Sequence, residues 1–241
     1  MKLTKTLIAS AIAAAAISSA AQAEVSTNIA VSSDYVWRGV TQTGNGAAVS
    51  GGIDYNHDSG FYAGTWISNT SFNSSETDLY FGYGGEAGEF SYSVGYLLYT
   101  YPSTSSSNFG EIVFDASVGL FSFGLAYTVN SDVAEPAPFT EGDLFYYVGL
   151  GSDLGNDWSL SGTLGYYEFD DSGDEGLDSD GDGVFGDDVS YGYVQVDLSK
   201  SYGDMGDITL SAIFAGDDVE TYTGNGTAND PIAVISWSKG F

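Results

Sequence analysis

Apolar and polar residues alternate along most of this chain with a period of two. Ile29, Val31, Tyr35 and Trp37 share one parity, and Ser26, Asn28, Ser32, Asp34 and Arg38 share the other. Val49, Ile53 and Tyr55 stand opposite Ser50, Asp54 and Asn56 in the same way. The pattern recurs with Ile112, Phe114, Ala116, Val118 and Leu120 against Glu111, Asp115 and Ser117. It recurs again with Phe123, Leu125, Tyr127 and Val129, and with Trp158, Leu160, Leu164 and Tyr166. Successive side chains of a strand point to opposite faces, so each segment predicts a strand with one apolar face.

The strands are expected near 25–37, 46–56, 60–70, 77–85, 89–101, 109–119, 122–131, 142–152, 157–169, 188–199, 206–216 and 232–241. That is about twelve, an even number as in single-chain bacterial barrels. Short turns at His57–Ser59, Glu86–Gly88, Leu120–Phe121, Asp153–Asn156 and Lys200–Met205 alternate with longer polar links at 38–45, 71–76, 102–108, 132–141, 170–187 and 217–231. Outer-membrane barrels sort their connections this way, with short turns and both termini periplasmic and long loops outside. A soluble sandwich has no reason to sort loops by length. The expected fold is therefore all-β, a transmembrane up-and-down antiparallel β-barrel.

The N-terminal residues agree with export. Lys2 and Lys5 precede a short apolar run, Leu7–Ala16, and Ala21-Gln22-Ala23 supplies the small residues of a cleavage site. Residues 1–23 read as a Sec signal peptide and 24–241 as the mature barrel. The apolar run is shorter than the roughly 20 residues a spanning helix needs. At the other end, Ile235, Trp237 and Phe241 lie on one face, and the terminal aromatic resembles the address read by outer-membrane barrel-assembly machinery. Lys239 shares that face; near an interface its stem can lie along the wall while the ammonium reaches water. Tyr35, Trp37 and Trp158 are expected in the interfacial aromatic girdles.

Composition narrows the chemistry. There is no Cys, so no disulfide holds the fold. The formal net charge is −28, and beyond residue 23 only Arg38, Lys200 and Lys239 are basic, which argues against nucleic acid as a partner. His57 is the one histidine and falls in a turn. Neither an ordinary hydrolase triad nor a zinc site is available, and the chain reads as a non-enzyme.

Four segments carry a family resemblance. SSDYVWRGVTQT at 32–43, GGIDYNHDSGFYAGTWISN at 51–69, ETDLYFGYGG at 76–85 and YTYP at 99–102 resemble the TorF-type porin family of proteobacteria. The resemblance implies an exported porin of the Gram-negative outer membrane and carries over no catalytic or binding residue.

If the apolar parity faces lipid, Asp34, Arg38, Asp54, Asp78, Glu111, Asp115 and Asp197 face the lumen. Rings of carboxylates favour cations, so the expected function is a channel for passive passage of small cationic or neutral hydrophilic solutes. The alternative is a lumen plugged by its own side chains, with a surface binding or structural role carried by an acidic extracellular loop. Arg38 is either a structural partner for Asp34, Asp78 or another lumen acid, or a constriction residue for an anionic solute. The linker 170–187 carries eight acids in 18 residues. Within it Asp178, Asp180 and Asp182, before Gly183, have the alternate spacing of a Ca²⁺ loop, but the twelfth position is Val189 rather than Glu. A solvated acidic loop is the other reading. No cofactor beyond such a Ca²⁺ is expected; the expected partners are outer-membrane lipid, the assembly machinery and small solutes.

Overall fold

The computed structural model describes residues 24–72, 74–134, 137–170, 190–216 and 228–241. Residues 1–23, expected to be a signal peptide, and the candidate Ca²⁺ residues Asp178, Asp180 and Asp182 lie outside them. Fourteen strands are present among the described residues: β1 Glu24–Ser32, β2 Val36–Trp37, β3 Val40–Thr41, β4 Ala48–Asn56, β5 Phe61–Thr70, β6 Ser74–Ala87, β7 Phe90–Thr100, β8 Phe109–Val118, β9 Phe121–Ser131, β10 Leu144–Gly155, β11 Trp158–Glu168, β12 Tyr191–Ser201, β13 Asp207–Ala215 and β14 Ile232–Gly240. Twelve of them form a closed antiparallel barrel in which each strand pairs with its neighbour in the chain. β2 and β3 pair only with each other, so β1 pairs directly with β4, from Glu24↔Asn56 to Ser32↔Ala48. The barrel closes through β1 and β14, from Asn28↔Gly240 to Ser32↔Ser236.

The alternation read from the sequence becomes the two faces of this wall. Val49, Ile53, Leu79, Phe81, Leu125, Val148, Leu164, Leu210 and Ile235 all stand exposed on the outside. Each such side chain left in water forfeits about 1.5–3 kcal/mol of burial, a cost that vanishes in hydrocarbon. No described helix is long and apolar enough to cross a membrane. An outward apolar belt on a closed sheet, which pairs its backbone groups between strands, is the other way of lying in lipid.

Turn chemistry fixes the two ends. The connections 57–60, 88–89, 119–120, 156–157 and 202–206 occupy one end, which also carries both termini: Thr27 and Phe241 exchange backbone hydrogen bonds of 3.1 and 2.8 Å there. Trp158 is exposed near this end, with the Lys200 ammonium 5.6 Å from its ring centroid, as a girdle residue would be. Lys239 lays its ammonium 4.8 Å over the Phe241 ring. The opposite end carries the longer connections, with one departure. β6 starts at Ser74 rather than at 77, so the expected 71–76 link shrinks to 71–73.

A second departure matters more. The first strand was expected to run to Trp37, but β1 leaves the wall at Ser32 and the next segment turns inward. Tyr35 is buried and Trp37 packs on lumen aromatics, so neither belongs to an interfacial girdle. Their parity continues that of β1, and parity alone cannot show where a strand leaves its sheet.

Inside, tyrosines lie against glycines. Directly paired across neighbouring strands are Gly64↔Tyr80, Gly82↔Tyr62, Gly124↔Tyr147 and Gly165↔Tyr193. A Cβ at Gly64 would stand 2.5 Å from the Tyr80 ring, and one at Gly165 would stand 2.5 Å from the Tyr193 ring. The missing side chain lets each ring lie flat on the wall instead of projecting across the lumen, and the ring covers backbone that a glycine leaves bare.

Candidate functional site

The inward segment is a hairpin anchored at its base by Asp34. The Thr41 and Thr43 hydroxyls each lie 2.7 Å from Asp34 Oδ1, and the Tyr35 amide donates to Thr43 Oγ1 at 3.0 Å. β2 and β3 pair as Val36↔Thr41 and Trp37↔Val40, leaving Arg38 and Gly39 as the two-residue turn. Both have positive φ, 46° and 86°, as a type I′ turn requires. A Cβ at Gly39 would meet Tyr193 Cβ and Cγ at 2.8 Å, so the tip rests directly on β12.

The tip reaches across the barrel. Arg38 grips Glu111 on β8, a strand nearly opposite β1, through Nη1–Oε1 and Nη2–Oε2 hydrogen bonds of 2.7 and 2.6 Å. Both residues are buried, and Glu111 has no exposed surface. The Tyr99 hydroxyl donates to Glu111 Oε2 at 3.1 Å and that of Tyr167 approaches Oε1 at 3.4 Å. The guanidinium carbon sits 4.3 Å from the Trp37 ring, 4.1 Å from Phe145 and 4.8 Å from Tyr167. Trp37 in turn packs edge-on against Tyr99 and Tyr167, with Phe109 and Phe139 closing the cluster. A charge withdrawn from water is tolerable here because a bidentate carboxylate and three ring faces replace its hydration. A bulge lies beside this pair: Gly110 faces Asn130 while Glu111 faces Thr128, so Val129 has no partner in the ladder.

A second polar group flanks the hairpin. Glu76 accepts from Tyr35 at 2.7 Å and Tyr101 at 2.8 Å, one hydroxyl on each oxygen. Burial first, then the Glu76 and Asp78 carboxylates, push the Tyr35 phenol well above its ordinary range, so it stays a donor. Asp78, two residues further along β6, is buried, and its Oδ1 has no hydrogen-bond partner. Deeper in the barrel, Asp54 accepts from Tyr80 at 2.5 Å and Asn28 at 3.3 Å. Asp115 accepts from Tyr147 at 2.7 Å. Asp197 accepts from Gln195 at 2.9 and 3.1 Å.

Of the seven residues expected to face the lumen, Asp34, Arg38, Asp54, Asp78, Glu111 and Asp197 are buried and Asp115 is half-buried, and they do not form one ring. Arg38 and Glu111 join across the lumen beneath the long loops, with Asp78 alongside, and Asp34 ties the hairpin base. Asp54, Asp115 and Asp197 are spread along the wall. Sequence reasoning missed Glu76, which it assigned to a loop, and the hydroxyls of Tyr35, Tyr99, Tyr101 and Tyr167. It also missed the hairpin, whose strands, Val36–Trp37 and Val40–Thr41, are too short to show alternation and whose Arg-Gly turn is not one of the usual hairpin dipeptides. His57 lies on an exposed turn, where its Nδ1 accepts from the Ser59 amide at 3.1 Å. No group of three His, Cys, Asp or Glu side chains among the described residues is placed to hold a metal ion.

Solved structures share this architecture. The KdgM porin superposes with a TM-score of 0.56 at 11% identity, covering 90% of this chain and 98% of its own. The KdgM porin in complex with disordered oligogalacturonate gives 0.54 at 10% identity over 90% and 97%. The NanC porin gives 0.53 at 7% identity over 90% and 98%. At such identities the likeness establishes the shared barrel fold. Comparison with curated proteins finds no match. The sequence itself matches one family model over residues 15–180, well over half of the chain. By that match the chain belongs to Gcw_chp, a family of bacterial proteins of unknown function.

Proposed function

We propose that this protein is a porin-like channel of the Gram-negative outer membrane that passes small hydrophilic solutes passively, cations and neutral molecules in preference to anions. The observation that carries this reading is the charge inside the wall. Asp34, Asp54, Glu76, Asp78, Glu111, Asp115 and Asp197 lie within, and among the described residues Arg38 is the one cation among them, already paired with Glu111. A narrow lumen with such an excess of carboxylates favours cations electrostatically. The flat tyrosines on glycines support a water path along the lower barrel. The KdgM complex is described with oligogalacturonate, a polyanion. The acid-lined interior here argues for a different solute class on the same fold.

The hairpin gives the channel its constriction, and under this reading Arg38 is a structural latch. The long loops face outward and both termini lie in the periplasm, as the even strand number and connection lengths favour. The TorF-type resemblance of residues 32–102 supports the same assignment. A plugged barrel working through its surface loops is the second reading; the tightly seated hairpin tip is the observation in its favour.

Proteoliposome swelling separates the two. The channel reading expects faster entry of small amines and neutral sugars than of acidic sugars of equal size. Vesicles that swell no faster than protein-free ones would leave the plugged barrel.

A further inference from the structure

Asp78 stands apart from the other lumen carboxylates in how little it is hydrogen-bonded. Its neighbours each spend their hydrogen-bonding capacity locally: Glu76 takes two tyrosine hydroxyls, and Glu111 takes both arms of Arg38. Asp78 is 95% buried, yet its Oδ1 meets no donor. Glu76 stands two positions earlier on the same face of β6, and Tyr99, the partner of Asp78 across the sheet, donates its hydroxyl to Glu111. A buried carboxylate oxygen without a donor, close to two other carboxylates, is costly. What would relieve it is a cation.

The surroundings specify which kind. Asp78 pairs across the sheet with Trp66 on one side and Tyr99 on the other. The Tyr35 ring closes edge-on over Trp66 at 5.3 Å, and Tyr35 carries the hydroxyl that binds Glu76. The part-exposed Trp66 ring beside a bare carboxylate oxygen, with the buried Tyr35 and Tyr99 rings behind it, suits an alkylammonium, whose charge takes the oxygen while its carbons lie on Trp66. A hard divalent ion wants six or more oxygen ligands, and no group of three ligating residues is placed for one among the described residues.

We propose that Asp78, walled by Trp66, Tyr99 and Tyr35, is a subsite in the lumen for the ammonium group of an organic amine. It rests on the channel reading only in that a passing solute would use it; the subsite can be tested without any current. n-Butylammonium chloride is titrated calorimetrically into the refolded full-length barrel in detergent micelles, with CaCl₂ as the competing probe. Saturable butylammonium binding is expected, weakened about tenfold or more in Asp78→Asn, the scale of one charge-assisted hydrogen bond. Trp66→Leu should weaken it severalfold while leaving Asp78 in place, and the exposed Asp204→Asn should bind as the parent does. A parent barrel without saturable butylammonium binding overturns the proposal, whatever the variants do. So does undiminished affinity in Asp78→Asn, or displacement of bound butylammonium by Ca²⁺ at lower concentrations than butylammonium itself needs to bind. Single-channel recording of the same preparation keeps the two ideas apart: conduction without binding removes the subsite, and binding without conduction removes the channel.

Discussion

Arg38 and Glu111 meet through two parallel N–H···O bonds of 2.7 and 2.6 Å, one residue at the tip of a hairpin and the other on the wall nearly opposite. Neither has an exposed alternative, so each depends on the other for its charge. Removing one partner of a buried pair costs about 3–5 kcal/mol, because the survivor is left uncompensated. Arg38→Ala and Glu111→Ala should therefore each destabilise the folded barrel by about that amount. The double variant should lose clearly less than the sum of the two, since no buried charge is then stranded. Denaturant unfolding in micelles reads all three. Additive losses would mean that the two residues act separately.

Gly39 should control how firmly the constriction is seated. Its φ of 86° is disfavoured for any L side chain, and a Cβ there collides with Tyr193. Gly39→Ala must lift the tip from β12 or distort the turn. The expected outcome is a larger or noisier unitary conductance with the barrel still intact, judged by heat-modifiable gel migration. An unchanged conductance would show that the hairpin does not limit flow.

Tyr147 lies against Gly124 while its hydroxyl binds Asp115 at 2.7 Å. Gly124→Val would drive the ring off the wall and into the lumen, breaking that bond. Conductance should fall in this variant. Gly151→Ala serves as the matched control, because a Cβ there meets only Ser161 at an ordinary 3.9 Å. Equal conductance in both would argue that the flat rings do not set the width of the path.

If lumen carboxylates set the ion preference, salt must weaken it. The screening length falls from about 10 Å at 0.1 M to about 3 Å at 1 M. The cation-to-anion permeability ratio should therefore drop markedly between those concentrations. A ratio insensitive to salt would point to steric selection instead.

The barrel was legible in the sequence because strands such as β9 carry their two faces in plain alternation. Leu125 and Tyr127 face out while Ala126 and Thr128 are buried, and turn residues separate such segments. The inward carboxylates followed from the same parity. The hairpin was hidden by that very regularity, since Tyr35 and Trp37 continue the parity of β1 after the chain has left the wall. The Arg38–Glu111 pair joins positions 73 residues apart, and no local pattern records which of several lumen acids a lone arginine will reach. The Tyr99 and Tyr167 hydroxyls were hidden for a related reason: a tyrosine reads first as an apolar ring, and its polar end shows only once the fold supplies a partner.

The most direct test of the channel account is the reversal potential of the refolded barrel in a planar bilayer under a KCl gradient. An acid-lined lumen with its one cation already paired predicts measurable current and a dilute side that turns positive, because K⁺ crosses faster than Cl⁻. A dilute side that turns negative, or no current in either the parent or Gly39→Ala, would contradict it.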